Sequence, residues 1–206
     1  RYTCSGMLFD VVIGDNFYPD LQIPLLGEHQ AKNCALALAL CVDIMADLCR
    51  ESNAPDIFSD TMCNQIRRQL SAIHHPGRME IRSSDPFILL DACIHSASCE
   101  NVKEVLHHLG ISNCTVIVGI PEDKDYAGVV RSMKDVAARI ILTRSGNPHY
   151  HFSPKQQESL AEEGIGTMWT DSVQQALTLT GSCPDPIVIL GTTSVISEVE
   201  RIFRQS

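Results

Sequence analysis

Apolar positions along the chain change their rhythm near residue 77. Before it, Met7-Leu8-Phe9-Asp10-Val11-Val12-Ile13 and Leu21-Gln22-Ile23-Pro24-Leu25-Leu26 are two short apolar runs separated by the turn-rich Gly14-Asp15-Asn16, the pattern of strands joined by a turn. They read as the last strands of a sheet whose earlier members lie outside the chain. Gly27-Glu28-His29-Gln30 then opens a segment rich in Ala and Leu, residues 32–50, which favours helix. Because that segment is apolar on most faces, a buried helix is expected. A second helix is expected from about Pro55, a good first-turn residue, to Leu70. His74-His75-Pro76-Gly77 breaks the pattern and marks a linker between domains.

After Gly77, short apolar runs alternate with amphipathic stretches and short connections. Strands are expected over Phe87 to Leu90, Thr115 to Val118, Arg139 to Leu142, Thr167 to Trp169 and Ile187 to Leu190. Helices are expected over Cys99 to Leu109, Ala127 to Val136, Pro154 to Glu163, Ser172 to Thr180 and Ser194 to Phe203. Strictly alternating strands and helices imply right-handed βαβ units. The expected fold class is therefore α/β, with a mostly parallel Rossmann-like sheet covered by helices on both faces.

Composition narrows the function classes. A net charge of −9 argues against a general nucleic-acid binder, which would carry a basic face. The longest apolar run, roughly Cys34 to Met45, is too short for a membrane span, which needs about 20 residues. Nine cysteines form an odd number with no C-x-x-C pair, and most (Cys34, Cys41, Cys49, Cys63, Cys114) sit in apolar runs where a thiol acts as a small hydrophobe. A reduced, intracellular compartment is expected. Cys93, His95 and Cys99 form a C-x-H-x-x-x-C cluster that matches none of the usual zinc spacings, so no metal site is expected there. The chain opens on Arg1 without a methionine and is expected to be a piece of a longer polypeptide.

The stretch from Gly77 to Cys99 carries the most chemistry. Ligands of open α/β sheets bind beyond the carboxyl ends of the strands, where Asp91 and His95 would lie. Arg78 follows a Pro-Gly turn and can offer a planar fork of donors to phosphate oxygens; its bland alternative is a surface ion pair with Glu80 or Asp85. Asp91 can accept hydrogen bonds from ribose hydroxyls, or it can be a turn or cap aspartate. His95 in a turn of small residues can contact substrate and titrate near neutrality, or simply be exposed. Lys124, after the next strand, can neutralise an acidic substrate or pair with its flanking aspartates. Gly191-Thr192-Thr193-Ser194 opens the last helix and can bind a carboxylate or phosphate, or act as a cap. Neither a G-x-x-x-x-G-K-[ST] nor a G-x-G-x-x-G pattern occurs in the sequence, so any phosphate loop lies elsewhere.

Taken in order, these pieces resemble the C-terminal half of folylpolyglutamate synthase/dihydrofolate synthase, in the Mur ligase superfamily. Gly27-Glu28-His29-Gln30-Ala31-Lys32-Asn33 is similar to the family's G-x-H-Q-x-x-N helix opening, and His75-Pro76-Gly77-Arg78-Met79-Glu80 to its P-G-R-x-E junction. Residues 90–98 resemble its D-G-A-H motif; Asp123-Lys124-Asp125, Leu142-Thr143-Arg144 with Asn147-Pro148, and Gly191-Thr192-Thr193 follow in the family's order. The resemblance implies that residues 1–74 are the C-terminal remnant of a central ATP-binding domain and residues 75–206 the C-terminal Mur ligase domain. It implies ATP and magnesium, with the magnesium ligands mainly upstream. Asn33 would contact adenine, Arg78 the ATP phosphates and Asp91 the ribose. His95, Lys124 and Thr193 would face the reacting carboxylate or the incoming glutamate, His95 and Lys124 as catalytic groups. One departure is that the family separates aspartate and histidine by two residues, whereas three separate Asp91 from His95. Either the turn carries an insertion that still presents His95, or Ile94 stands in the histidine's place.

The expected function is thus part of an ATP-dependent ligase joining L-glutamate to a folate or dihydropteroate carboxylate through an acyl phosphate, inactive as a fragment. The expected partners are those small molecules and the N-terminal part of the same protein; nucleic acid and membrane are not expected, and the protein is expected to be a cytoplasmic monomer. The alternatives are a non-catalytic nucleotide-binding or degenerate relative, and a cell-wall Mur ligase acting on a UDP-sugar.

Overall fold

The computed structural model describes residues 1–3, 6–51, 59–181 and 185–205, without the side chains of 49–51. It divides into two compact units, Arg1–His75 and Pro76–Ser206.

In the first unit, β1 (Tyr2–Thr3), β2 (Gly6–Ile13) and β3 (Asn16–Ile23) form an antiparallel sheet in the order β1-β2-β3. The third strand starts earlier than the apolar pattern suggests, because Ile13 pairs with Asn16 across a tight turn at Gly14-Asp15. The polar start and Pro19 hid it from a reading based on apolar runs. Pro19 is tolerated because, among the described residues, β3 pairs only with β2, which leaves it an edge strand there. The irregularity at Asp20, with φ of 55°, is bridged by its amide donating to Asp10 Oδ1 at 2.8 Å.

Helix α1 (Glu28–Glu51) follows Gly27, whose φ of +102° a side chain would resist. One face of α1, through Ala31, Leu38 and Val42, is buried on the sheet and on α2 (Asp60–Ser71). The opposite face is not. Exposed Cys41 lines the groove between α1 and α2, but Leu36 is 72% exposed, and Leu40, Ile44 and Leu48 also stand exposed. The expectation of a helix buried all round is therefore corrected: with a period of 3.6 these side chains lie about half a turn from the buried stripe, and no described element covers them. The expected start of the second helix at Pro55 lies outside the described residues.

The second unit is built on a six-stranded sheet in the order β4-β5-β9-β6-β7-β8. Its strands are β4 (Glu80–Ser84), β5 (Phe87–Asp91), β6 (Cys114–Gly119), β7 (Ala137–Thr143), β8 (Met168–Thr170) and β9 (Ile187–Gly191). All neighbours are parallel except the edge pair β4 and β5. The intervening helices are α3 (Ser96–His108), α4 (Tyr126–Met133), α5 (Lys155–Glu162), α6 (Val173–Thr180) and α7 (Thr193–Gln205). This is the mixed α/β, mostly parallel architecture that strand–helix alternation implies.

The strand order decides where a ligand could sit. From β5 through β8 the chain advances in one direction, and from β8 to β9 it returns, so right-handed crossovers place α6 opposite α3 and α4. Accordingly α3 packs on α4, and α6 on α7. Strand alternation sends Ile88, Leu90, Ile117, Ile141, Ile187 and Ile189 to the α6–α7 face, in one buried cluster with Val173, Ala176, Val195 and Val199. Adjacent strands β6 and β9 thus feed helices on opposite faces, and beyond the carboxyl ends of strands at such a switch point ligands of open α/β sheets bind.

Candidate functional site

Two glycines make the floor of that carboxyl edge. Gly119 and Gly191 end β6 and β9 in register, and a Cβ on Gly191 would lie 2.5 Å from the Gly119 carbonyl oxygen. A Cβ on Gly119 would in turn strike Val195 of α7. Only glycine lets the strand ends approach so closely.

Asp91 is the last residue of β5 and is buried, 6% exposed. Its Oδ2 accepts the Met79 amide at 2.9 Å, while the Ala92 amide donates to the Gly77 carbonyl at 2.8 Å. These two bonds fasten the turn carrying Arg78 to the strand end, holding Met79 at a φ of 46° and Gly77 at 67°. Burial raises the Asp91 carboxyl to about 6, opposed by the Met79 amide and the nearby positive charge of Arg78. The ion pair that Arg78 could have made with Glu80 does not form: Glu80 instead accepts the Gly77 amide at 2.7 Å. Arg78 is half-buried and has no salt-bridge partner among the described residues.

His95 is the N-cap residue of α3 and caps it without its side chain. Its ring is exposed, and Ile94 is half-buried. Asp125 itself was read in the sequence only as a neighbour of Lys124. In the structure its Oδ2 accepts the Ser96 amide at 2.8 Å and the Ser96 hydroxyl at 2.6 Å, and its Oδ1 accepts the Gly128 amide at 3.1 Å. One carboxylate therefore caps α4 and holds the first turn of α3, and the Ser96 bonds lower its pKa. The D-x-x-G spacing of Asp125 and Gly128 was the available signal, since an N-cap side chain bonds the amide three residues on.

Lys124 is exposed and pairs with Asp123 at 3.1 Å. At the other corner Thr192, not Thr193, is the cap: it is buried, and its hydroxyl receives the Val195 amide at 3.5 Å. Thr193 is left exposed beside a polar cleft of about 390 Å³ lined by Gly146, Asn147, Thr193, Ser194, Glu198 and Arg201. Asn147 donates to the Ser194 hydroxyl at 2.8 Å, and Glu198 accepts the Gly146 amide at 2.7 Å. Arg201 makes no ion pair with another described residue. The first turn of α7 contains no acidic residue, so its free amides keep a positive potential, whereas the Asp125 carboxylate already occupies amides at the starts of α3 and α4.

Asp91, His95, Lys124 and Thr193 end or follow parallel strands on this one edge of the second unit, and Arg78 reaches it by preceding the antiparallel β4, whose Glu80 pairs with Leu90. Asn33 belongs to the first unit, exposed on α1 and lining an apolar groove of about 500 Å³ between α1 and α2.

No family model matches the chain. Individual relatives do. A folylpolyglutamate synthase of Lacticaseibacillus casei is 27% identical over 197 residues, covering 95% of this chain and 43% of that protein. A probable bifunctional folylpolyglutamate synthase/dihydropteroate synthase of Haloferax volcanii is 26% identical over 192 residues, covering 91% of this chain and 21% of that protein. The fold superposes on a solved Mycobacterium tuberculosis folylpolyglutamate synthase complexed with ADP and AMPPCP, with a TM-score of 0.79 at 22% identity, covering 98% of this chain and 46% of that one. The chain is a relative of the folylpolyglutamate and dihydrofolate synthases. It matches their C-terminal part and spans under half the length of either curated relative. Such synthases are ATP-dependent ligases, and the second unit has the fold of their C-terminal domain.

Proposed function

We propose that the chain is part of an ATP-dependent ligase that joins L-glutamate to the carboxylate of a folate or dihydropteroate through an acyl phosphate, and that alone it is inactive. In this reading residues 1–74 complete a central ATP-binding domain and residues 75–206 form the C-terminal domain. The observation that carries it is an Arg78 guanidinium with no ion-pair partner among the described residues, placed near enough to buried Asp91 to lower its pKa, at the carboxyl edge of a mostly parallel sheet.

The residues present fit a nucleotide. Arg78 presents donors and permanent charge to phosphate oxygens. Asp91 spends Oδ2 on Met79 and leaves Oδ1 for a ribose hydroxyl. Asn33 is assigned to adenine. No trio of metal-ligating side chains occurs among the described residues, and the magnesium ligands are assigned to the upstream part of the longer protein. ATP supplies the phosphoryl group that activates the acceptor carboxylate. Thr193 at the amino end of α7 and Arg201 further along the same helix, which line one cleft, suit a carboxylate of the incoming glutamate, and His95 and Lys124 are assigned to the reacting groups. Neutralising the phosphoryl charge and holding amine near acyl carbon are what the reaction demands.

The test is ADP release by the full-length protein with ATP, magnesium, glutamate and either folate or dihydropteroate. Acceptor-stimulated ADP is expected, and its absence with both acceptors sinks the ligase reading. Arg78→Ala is expected to lower turnover by about two orders of magnitude or more with the fold intact; unchanged turnover would remove the phosphate role. A second reading, a nucleotide-binding domain without catalysis, is favoured by the Lys124–Asp123 pair and the extra residue before His95. It calls for nucleotide binding with no acceptor-stimulated ADP.

A further inference from the structure

Two thiols stand at the root of the loop that carries His95. Cys93 and Cys99 are both buried, 2% and 0% exposed, and their sulfurs are 3.7 Å apart. Both thiols also approach the same acceptor, the His95 carbonyl, at 3.3 Å and 3.8 Å. Cys93 belongs to the connection after β5, and Cys99 to the first turn of α3. A disulfide needs about 2.05 Å between sulfurs, so closure requires an approach of about 1.7 Å.

We propose that Cys93 and Cys99 are a dithiol pair that a small hydroperoxide closes to a disulfide, fastening the His95 loop to α3. Burial excludes bulky oxidants and favours hydrogen peroxide. The contact between the two sulfurs lowers the Cys93 pKa, and the same contact together with burial raises that of Cys99, so Cys93 takes the part of the attacking thiolate. Its sulfur takes one peroxide oxygen as the O–O bond breaks, and the other oxygen leaves as water after taking up protons. Cys99 then attacks the sulfenic sulfur, the S–S bond forms, the S–O bond breaks, and a second water departs. Two thiols lose two hydrogens and one peroxide becomes two waters. Closure withdraws both S–H donors from the His95 carbonyl, and a dithiol reductant reverses it. The chemistry stands apart from the ligase reading.

Trypsin isolates the pair, because residues 83–103, between Arg82 and Lys103, contain Cys93, Cys99 and no other cysteine. The full-length protein would be treated with hydrogen peroxide, denatured with N-ethylmaleimide, digested and weighed. The expected product is this peptide unalkylated and two hydrogens lighter, returning to the doubly alkylated form when dithiothreitol precedes alkylation. In Cys99→Ser, Cys93 should stop at a sulfenic acid that dimedone captures. The proposal is overturned if the wild-type peptide stays doubly alkylated while exposed Cys41 oxidises, or if either cysteine instead links to a different peptide. The wild-type map decides the matter even where the variant fails to fold.

Discussion

In the second unit Leu89, Leu90, Ile117 and Leu190 are wholly buried, whereas in the first Leu36 and Leu40 are 72% and 60% exposed. Both sets are aliphatic residues in regular elements, so composition does not separate them. What separates them is closure. The parallel sheet has its own helices on each face, while α1 has a sheet and α2 on one side and no described element on the other. An exposed apolar stripe on a helix is a surface that stays in water only at a cost, and we propose that the remainder of the longer protein covers it.

The contrast is open to direct attack. Leu90→Ala is expected to cost about 3–5 kcal/mol of unfolding free energy by denaturant titration, since it leaves a cavity in a closed core. A cost below about 1 kcal/mol would mean that the second unit is not closed as described. Asp91→Asn comes next, with a sign that depends on pH. Its carboxyl is raised in the fold to about 6 from 3.8, so the folded state binds the extra proton, and the native protein loses stability as pH climbs from about 4 to about 6. Asparagine does not titrate. Relative to wild type, the variant should therefore gain up to about 3 kcal/mol above pH 6 and nothing below pH 4, even as it loses the proposed ribose contact. A pH-independent difference in melting would show that burial does not strain this carboxylate.

Gly191→Ala forces a Cβ against the Gly119 carbonyl and is expected to cost about 1–3 kcal/mol, read by the same titration. Smallest is Leu40→Ala, expected to change the stability of this chain by about 0.5 kcal/mol or less. In the full-length protein the same change should approach the cost of a core residue. Equal small effects in both would mean that the α1 stripe faces water in the whole molecule too.

Much of the second unit was legible because its connections are short and its central strands β5, β6 and β9 are mostly apolar and buried, as strands covered on both faces must be. Gly77, Asp91 and Gly191 then marked the carboxyl edge. The start of β3 was hidden because Asn16 and Pro19 carry turn chemistry inside a paired strand. The α1 stripe was misread because apolarity does not say which face another element will cover. At the edge, Gly191-Thr192-Thr193-Ser194 was legible as a possible cap, but Thr192 and Thr193 are alike until burial assigns the cap to the first of them. Asp125 was passed over because its partners, Ser96 and Gly128, lie 29 and 3 residues away, and only folding joins them.

That shared carboxylate has a consequence for how the sequence can drift. A Cβ at residue 128 would overlap the Asp125 carboxylate, and a residue at 125 with fewer than two acceptor oxygens would cap α4 or hold α3 but not both. Positions 96, 125 and 128 cannot then vary one at a time. Among descendants of this protein they should be inherited as a trio, with change at any one accompanied by change at the others.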